Sequence, residues 1–533
     1  MPRVGQPPAG EGQRLRDQIA LGVLTATFPA ELVDAAIERA GRREQRYRLL
    51  PARLVVYYVL AMTLFREAGY EEVLRQLTEG LPAMTGGEAE FEMPSSVAIS
   101  KARARLGPAP LEALFARACT PLSTPKTRGA FYRGLRLVSM DGSSLDVPDT
   151  ASNDAEFGRA GSGRGERAAF PQLRIVAIAE CSTHAMFAAA MGPYGSGEPT
   201  LAKRLVGELS KEMLCFADRG FLAHRLFSAM AKTGAQLCWR AKSSAVFPVL
   251  ERHEDGSFAS ELVGSEDERA RADVLPVRVV EYAIADPGRP QAEATTYRLV
   301  TTILDPTSAP ASELAVLYAE RWEFESALDE LKTHQRGSRV VLRSKTADGV
   351  YQEAWGMLCV HYAIRALMAS VADDDEIDPD RLSFTRSLRA ARQSVRRSLD
   401  DLATGLSRAS VEIVHELLPQ RRLRSNPRVV KRKWSNDAGK RSAHGSWPQP
   451  TLPTRQAIRI LGVSITGTGA RLPHADVGGS VRRHPGGHRP DARGQSLPRL
   501  TPMASVGWRI AVGDAAGATT ILVAALWPGF RST

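Results

Sequence analysis

Three acids, Asp141, Asp218 and Glu325, stand where the chain pattern changes from one element type to another, 77 and 107 residues apart. Carboxylates at strand ends beside a helix are hard oxygen donors that suit Mg²⁺ or Mn²⁺. Two such ions, about 3.5–4 Å apart, can activate a water and stabilise the leaving oxygen in phosphodiester cleavage. Close carboxylates repel one another, so such a set wants its cations. Taken alone, acids at strand ends read more readily as solvated surface groups. The segment around Glu325 adds to them. Tyr318, Arg321, Glu325 and Lys332 fall at 0°, 300°, 340° and 320° on a helix turning about 100° per residue, a single stripe. An acid flanked by Arg, Lys and a phenol fits a surface that grips a metal-bound phosphate. The other reading is a salt-bridged amphipathic helix in which Glu325 pairs with Arg321 or Lys332. Asp329 lies close to the same stripe, and the helix alone does not choose between it and Glu325.

The elements that must position these residues can be read from periodicity. Residues 12–120 repeat apolar side chains at helical spacing, including the eleven-residue run Leu54 to Leu64, too short for a membrane span and suited to a buried helix. The capped stretch from Pro94 to Gly107 carries Lys101, Arg103 and Arg105 and reads as the second helix of a helix-turn-helix touching DNA, or as a solvated helix. From Leu135 the pattern alternates, with Asp141-Gly142 as the turn of a β-hairpin reaching Val147. Asp146 and Asp149 then read as hairpin and loop residues, not ligands. Strands follow at Gln172 to Cys181 and Ala185 to Gly192, a helix at about Pro199 to Leu209, a strand at Met213 to Ala217 and a helix at Phe221 to Lys232. That order predicts an α/β fold with a mixed sheet. Strands recur at Gln236 to Lys242, Val274 to Tyr282 and Thr296 to Ile303, around a polar stretch from Glu251 to Ala272. A long helix is expected from about Pro310 to Thr333, with more helix at Val350 to Val371 and Arg381 to Leu418.

The length of 533 residues suggests about three or four structural units. An apolar fraction of 43% and a charged fraction of 24% exclude a wholly disordered, collagen-like or small disulfide-framework chain. The formal charge is +11, but residues 421–441 alone carry +8, residues 463–533 carry +5, and Arg455 and Arg459 add +2, leaving residues 1–420 at −4. Five scattered cysteines without a CxxC pair argue for a reducing cytoplasm and against a zinc ribbon. Residues 1–13 show no apolar signal-peptide core, so a soluble intracellular protein is expected.

The quartet Tyr318-x2-Arg321-x3-Glu325-x6-Lys332 resembles the signature helix of DDE transposases of the insertion-element-four family. Asp141-Gly142 resembles the first DDE motif, and Asp218-Arg219-Gly220-Phe221 the second. Arg343-Ser344-Lys345 with Gln352-Glu353 resembles the segment after the glutamate, and the likeness covers about residues 12–460. The resemblance implies a helical N-terminal DNA-binding domain over 12–125, a ribonuclease-H-like catalytic domain over 130–375 with a β-rich insertion at about 235–295, and a helical, basic region over 376–460. It implies that Asp141, Asp218 and Glu325 bind two Mg²⁺ (or Mn²⁺) ions, Glu325 being preferred to Asp329 on motif spacing. Water would then cleave at the transposon end, the freed 3′-hydroxyl would form a hairpin with the other strand, and the reopened end would join target DNA. Tyr318, Arg321 and Lys332 would hold backbone phosphates, and a dimer would pair two ends. Trp239, beside Arg240 and Lys242, would stack on a flipped base or else fill the core. The basic segment, with Arg428, Lys431, Arg432 and Lys433, is the most concentrated candidate DNA contact; its other reading is a basic linker. The alternatives are a DNA-binding remnant without chemistry and a host nuclease of the same fold; retention of all three acids favours the active transposase. Residues 463–533 depart from the resemblance: eleven Gly, six Pro and no sustained periodicity predict a disordered tail from readthrough or a shifted frame.

Overall fold

The computed structural model describes residues 22–46, 48–78, 93–161, 167–264, 274–286, 296–337, 341–397, 409–419, 452, 454–462, 511–515 and 518–522. The chain divides into residues 1–466 and 467–533. In the second part the described residues form one antiparallel ribbon, Ala511–Ala515 with Ala518–Leu522. The rest of the expected disordered tail lies outside the described residues.

The first part is organised by one eleven-stranded sheet. Its strands are β1 (Phe131–Tyr132), β2 (Leu135–Asp146), β3 (Gln172–Glu180), β4 (Met186–Pro193), β5 (Met213–Ala217), β6 (Gln236–Arg240), β7 (Glu251–Arg252), β8 (Phe258–Leu262), β9 (Leu275–Ile284), β10 (Tyr297–Thr301) and β11 (Ile458–Ile460). The order is β4-β3-β2-β5-β6-β10-β9-β8-β7, with β1 on β2 and β11 on β9. β2, β5 and β6 run parallel and β3 is antiparallel to both its neighbours. This block, with helices over the sheet, is the ribonuclease-H-like core. The strands after β6 add to the same sheet, and the polar stretch read as an interruption contributes β7 and β8. Polarity hid them because β7 is exposed.

One expectation fails at the centre. Asp141-Gly142 is not a turn: β2 runs unbroken for twelve residues, pairing Asp141 with Ala177 and Gly142 with Val176 on β3. An Asp-Gly dipeptide permits a tight turn without requiring one, and the continuous ladder to β3 satisfies the backbone groups that a turn would have released.

Each sheet face is covered. Helical segments Glu198–Ala202, Lys203–Glu208 and His224–Ala231 pack over Met140, Val176, Cys215 and Trp239. On the other side, Ala311–Leu317 covers Leu137, Leu214 and Phe216. Beyond it lies a larger core built around the helix Ala347–Asp374. That helix is long and apolar enough to cross a membrane, but 83% of its most apolar window is buried inside the fold. The helix Ala52–Leu64 packs on it, every residue but Arg53 being buried, as the apolar run predicted.

The N-terminal helices are fastened to this core by polar groups. Arg66 and Glu353, with side chains 1% and 0% exposed, form an ion pair at 3.1 Å. Glu353 also accepts hydrogen bonds from the Arg343 and Ser344 amides and from the Ser344 hydroxyl. The helix Ser96–Leu106 corrects the DNA-contact expectation. Arg103 is buried, donating to Gln352, Ser344 and Tyr70, and Arg105 pairs with Glu44, so only Lys101 of the three is exposed. Arg103 and Arg105 thus hold the helix to its neighbours.

Candidate active site

Asp141 and Asp218 are placed by backbone pairing. Met140 on β2 is the register partner of Ala217 on β5, and each acid is the next residue along its parallel strand. Adjacent strands lie about 4.8 Å apart, so the two carboxylates leave the sheet side by side. Asp141 Oδ1 accepts from the Gly142 amide at 2.8 Å, and Asp218 Oδ1 accepts from the Gly220 amide at 2.7 Å. Gly220 leaves room for this carboxylate: a Cβ there would lie 2.9 Å from Asp218 Oδ1 and push it aside.

Glu325 comes from a helical run that changes pitch twice. After Ala311–Leu317, residues Tyr318–Arg321 form a 3₁₀ turn, Trp322–Asp329 are α-helical, and Glu330–Gln335 form a π turn. The uniform 100° spacing assumed above therefore holds only in part, yet the stripe reaches the sheet. The Tyr318 hydroxyl donates to the Ala217 carbonyl at 3.2 Å, Arg321 reaches Asp141 Oδ2 at 3.1 Å and Glu325 Oε1 at 3.5 Å, and Lys332 Nζ donates to Ser143 Oγ at 2.9 Å. Asp329 instead accepts from the Thr333 hydroxyl and pairs with His334. The geometry supports Glu325 over Asp329.

One guanidinium thus bridges two of the three acids, with Asp218 near enough to raise Asp141 electrostatically. Burial pushes Asp141 up to about 6, with Asp218 and Glu325 adding to the rise and Arg321 and the Gly142 amide opposing it. Burial of Lys332, with Arg336 nearby, lowers its affinity for a proton. A fourth acid escaped sequence reasoning. The Glu198 carboxyl lies against Gly142, where a Cβ would come within 2.6 Å of it. Burial raises its pKa, Arg174 opposes this, and Asp218 adds to it. No spacing rule links Glu198 to the other three; only the packing of its helix across β2 does. The donor set is all oxygen, and Arg321 places positive charge between two of the acids, where a cation would bring it. These residues fit hard divalent ions.

Several expected contacts stand differently. Tyr318 is 5% exposed, edge-on to Phe216, so its hydroxyl braces the end of β5 instead of reaching for phosphate. Trp239 is fully buried on β6, 5.0 Å from the Phe227 ring, and fills the core; stacking on a base would require unfolding it. Arg240 lies over Tyr297 at 4.5 Å, and Lys242 is exposed. Asp146 accepts from Gln172 and Asp149 pairs with Arg159, in keeping with structural roles. Arg428, Lys431, Arg432 and Lys433 lie outside the described residues.

Comparison with known proteins supplies the family. Residues 18–116 match the family described as insertion element 4 transposase N-terminal, and residues 132–363 match the transposase DDE domain. The transposase InsG for insertion sequence element IS4, from Escherichia coli K12, is 28% identical over 436 residues, spanning 80% of this chain and 92% of that protein. The putative transposase InsZ, from the same strain, is 23% identical over 212 residues, spanning 40% of this chain and 68% of that protein. With both matched segments in order and three acids converging at the end of the paired strands, the chain belongs to the insertion-element-4 family of DDE transposases.

Proposed function

We propose that the protein cuts DNA at the terminal inverted repeats of its element and joins the freed ends to target DNA, with Asp141, Asp218 and Glu325 holding two Mg²⁺ (or Mn²⁺) ions. The observation that carries this reading is the register of β2 and β5, which sets two acids one step past hydrogen-bonded neighbours, with Glu325 brought to Asp141 by Arg321. When bound, the ions would activate the attacking water or 3′-hydroxyl and stabilise the leaving oxygen. The chain's own contribution is placement and charge. The sheet fixes the separation of Asp141 and Asp218. Arg321, released from the acids as positive charge arrives, would turn a planar donor pair toward a backbone phosphate. Lys332, seated on Ser143, would supply a second phosphate contact. Asp141 must be ionised to act as a ligand, so below about pH 6 loading the site would release a proton.

The sequence of steps that fits is nicking by water, hairpin formation by the new 3′-hydroxyl, reopening, and strand transfer, carried out by a dimer holding both ends. The setting would be the cytoplasm, at the nucleoid. An excision assay with matched transposon ends and Mg²⁺ tests the reading. Asp141→Ala, Asp218→Ala and Glu325→Ala should each abolish cleavage while end binding persists; full activity in any one of them overturns the assignment. Cleavage that ignored the terminal repeats would point to a nuclease of the same fold.

A further inference from the structure

Behind the catalytic helix, on the side away from Asp141, lies a second polar cluster. His184, in the turn between β3 and β4, is fully buried and held at φ +57°, a region that costs an L-residue energy and recurs at functional sites. Its Nε2 faces Glu323 Oε2 at 3.0 Å and Asp380 Oδ1 at 3.3 Å. Its Nδ1 faces Glu330 Oε1 at 3.1 Å. Arg365 pairs with Glu330 and also contacts His184 Nδ1, and His361 Nε2 contacts Glu330 Oε2 at 3.2 Å. The three residues come from separate places: the β3–β4 turn, the catalytic helix and the 3₁₀ turn Pro379–Arg381.

We propose that His184, Glu323 and Asp380 form a site for a divalent transition-metal ion, distinct from the all-oxygen catalytic set. The three candidate ligand atoms lie within 4.8 Å of one another. Ligands about 2.1 Å from an ion stand about 3.0 Å apart at right angles and about 3.4 Å apart at tetrahedral angles, which brackets both contacts of Nε2. Glu330 is placed as the outer partner that would fix a ligating imidazole: with Arg365 drawn onto Glu330 and that carboxylate accepting Nδ1–H, the Nε2 lone pair would be aimed between Glu323 and Asp380. Glu323, Glu330 and Asp380 carry three negative charges against the Arg365 guanidinium, so with His184 neutral as a ligand a divalent ion would supply the two positive charges the set lacks. Imidazole with two carboxylates suits zinc or manganese better than magnesium. Glu323 and Glu325, two residues apart, point about 200° apart around their helix. The ion would therefore brace the catalytic helix from behind without entering the reaction.

The test uses full-length protein carrying Asp141→Asn, Asp218→Asn and Glu325→Gln, which removes the catalytic ligands. After equilibrium dialysis against Zn²⁺, metal analysis should find one bound ion per chain and thermal scans a Zn²⁺-dependent rise in Tm. Adding Asp380→Asn or Glu323→Gln should abolish both, in a chain whose circular dichroism shows it folded; two variants guard against one failing to fold. Glu330→Gln should weaken Zn²⁺ binding by about 10–100-fold. Absence of a bound ion in the triple variant would overturn the proposal, leaving His184 as an imidazolium among carboxylates. Undiminished Zn²⁺ in the folded Asp380→Asn and Glu323→Gln proteins would overturn it equally.

Discussion

Replacing Asp141 by Asn should stabilise the metal-free protein, although it removes a proposed metal ligand. The Asp141 side chain is 16% exposed, and its carboxyl is raised from 3.8 to about 6, chiefly by burial. At 1.36 kcal/mol per pH unit, ionised Asp141 disfavours the fold by about 3 kcal/mol. The folded state holds this proton where the unfolded chain has released it, so stability falls as pH rises from about 4 to about 6 and the penalty is complete above that. Asparagine resembles the protonated form at every pH. In EDTA at pH 7.5 the variant should therefore melt higher, by about 3–6 °C if each kcal/mol is worth 1–2 °C in a chain this long. Below pH 4 the two proteins should converge. Mg²⁺ at 1,000 times its Kd should then reverse the ranking, since it adds about 4.1 kcal/mol to the wild type alone. Differential scanning calorimetry from pH 4 to 8, with and without Mg²⁺, measures all of this. A variant that melts lower than wild type in EDTA at pH 7.5 would refute the reasoning, because the Arg321 pair would then outweigh burial.

Other substitutions separate scaffold from chemistry. Glu353→Ala strands Arg66 as an uncompensated buried charge and should cost about 3–5 kcal/mol, read by urea unfolding. Trp239→Ala should cost about 3–5 kcal/mol as a core cavity, whereas Trp239→Phe should keep end binding and cleavage, since the indole touches no DNA; loss of cleavage in a well-folded Phe variant would restore the stacking role. Arg321→Ala leaves the acids facing one another, so the fall in stability with rising pH in EDTA should extend above pH 6. Excision by that variant should drop about 100-fold or more, as when a charge stabiliser is removed.

The proposed site residues could be named from the sequence only through the motif resemblance: Asp141, Asp218, Arg321, Glu325 and Lys332 stand at the spacing of the family's motifs, whereas the acids alone read as surface groups and the helix alone left Glu325 and Asp329 open. Strand β5 was read without error, since a short apolar run closed by an acid has few other meanings. What escaped depends on partners remote in sequence. Asp-Gly looked like a turn because nothing local reveals the β3 ladder running past it. Trp239, Tyr318 and Arg103 carry groups that could meet DNA, and only the fold shows them spent on Phe227, Ala217 and Gln352. Glu198 and His184 belong to no spacing pattern, because sheet and helix packing assemble their surroundings.

The pairing of β6 with β10 has a consequence for how this protein can change. Arg240 on the outgoing strand is the register partner of Leu299 on the returning one. The segment between them leaves and rejoins the sheet one strand spacing apart, about 4.8 Å. A loop whose ends already meet can grow or shrink at little entropic cost. The connections within residues 241–298 can therefore change length without moving the spacing of Asp141 and Asp218, provided that β9 keeps Val277 and Val280 in the cores they share with Trp239 and Leu214. Variation in length among relatives should concentrate in this stretch, which makes it the natural place to install a new DNA-reading module.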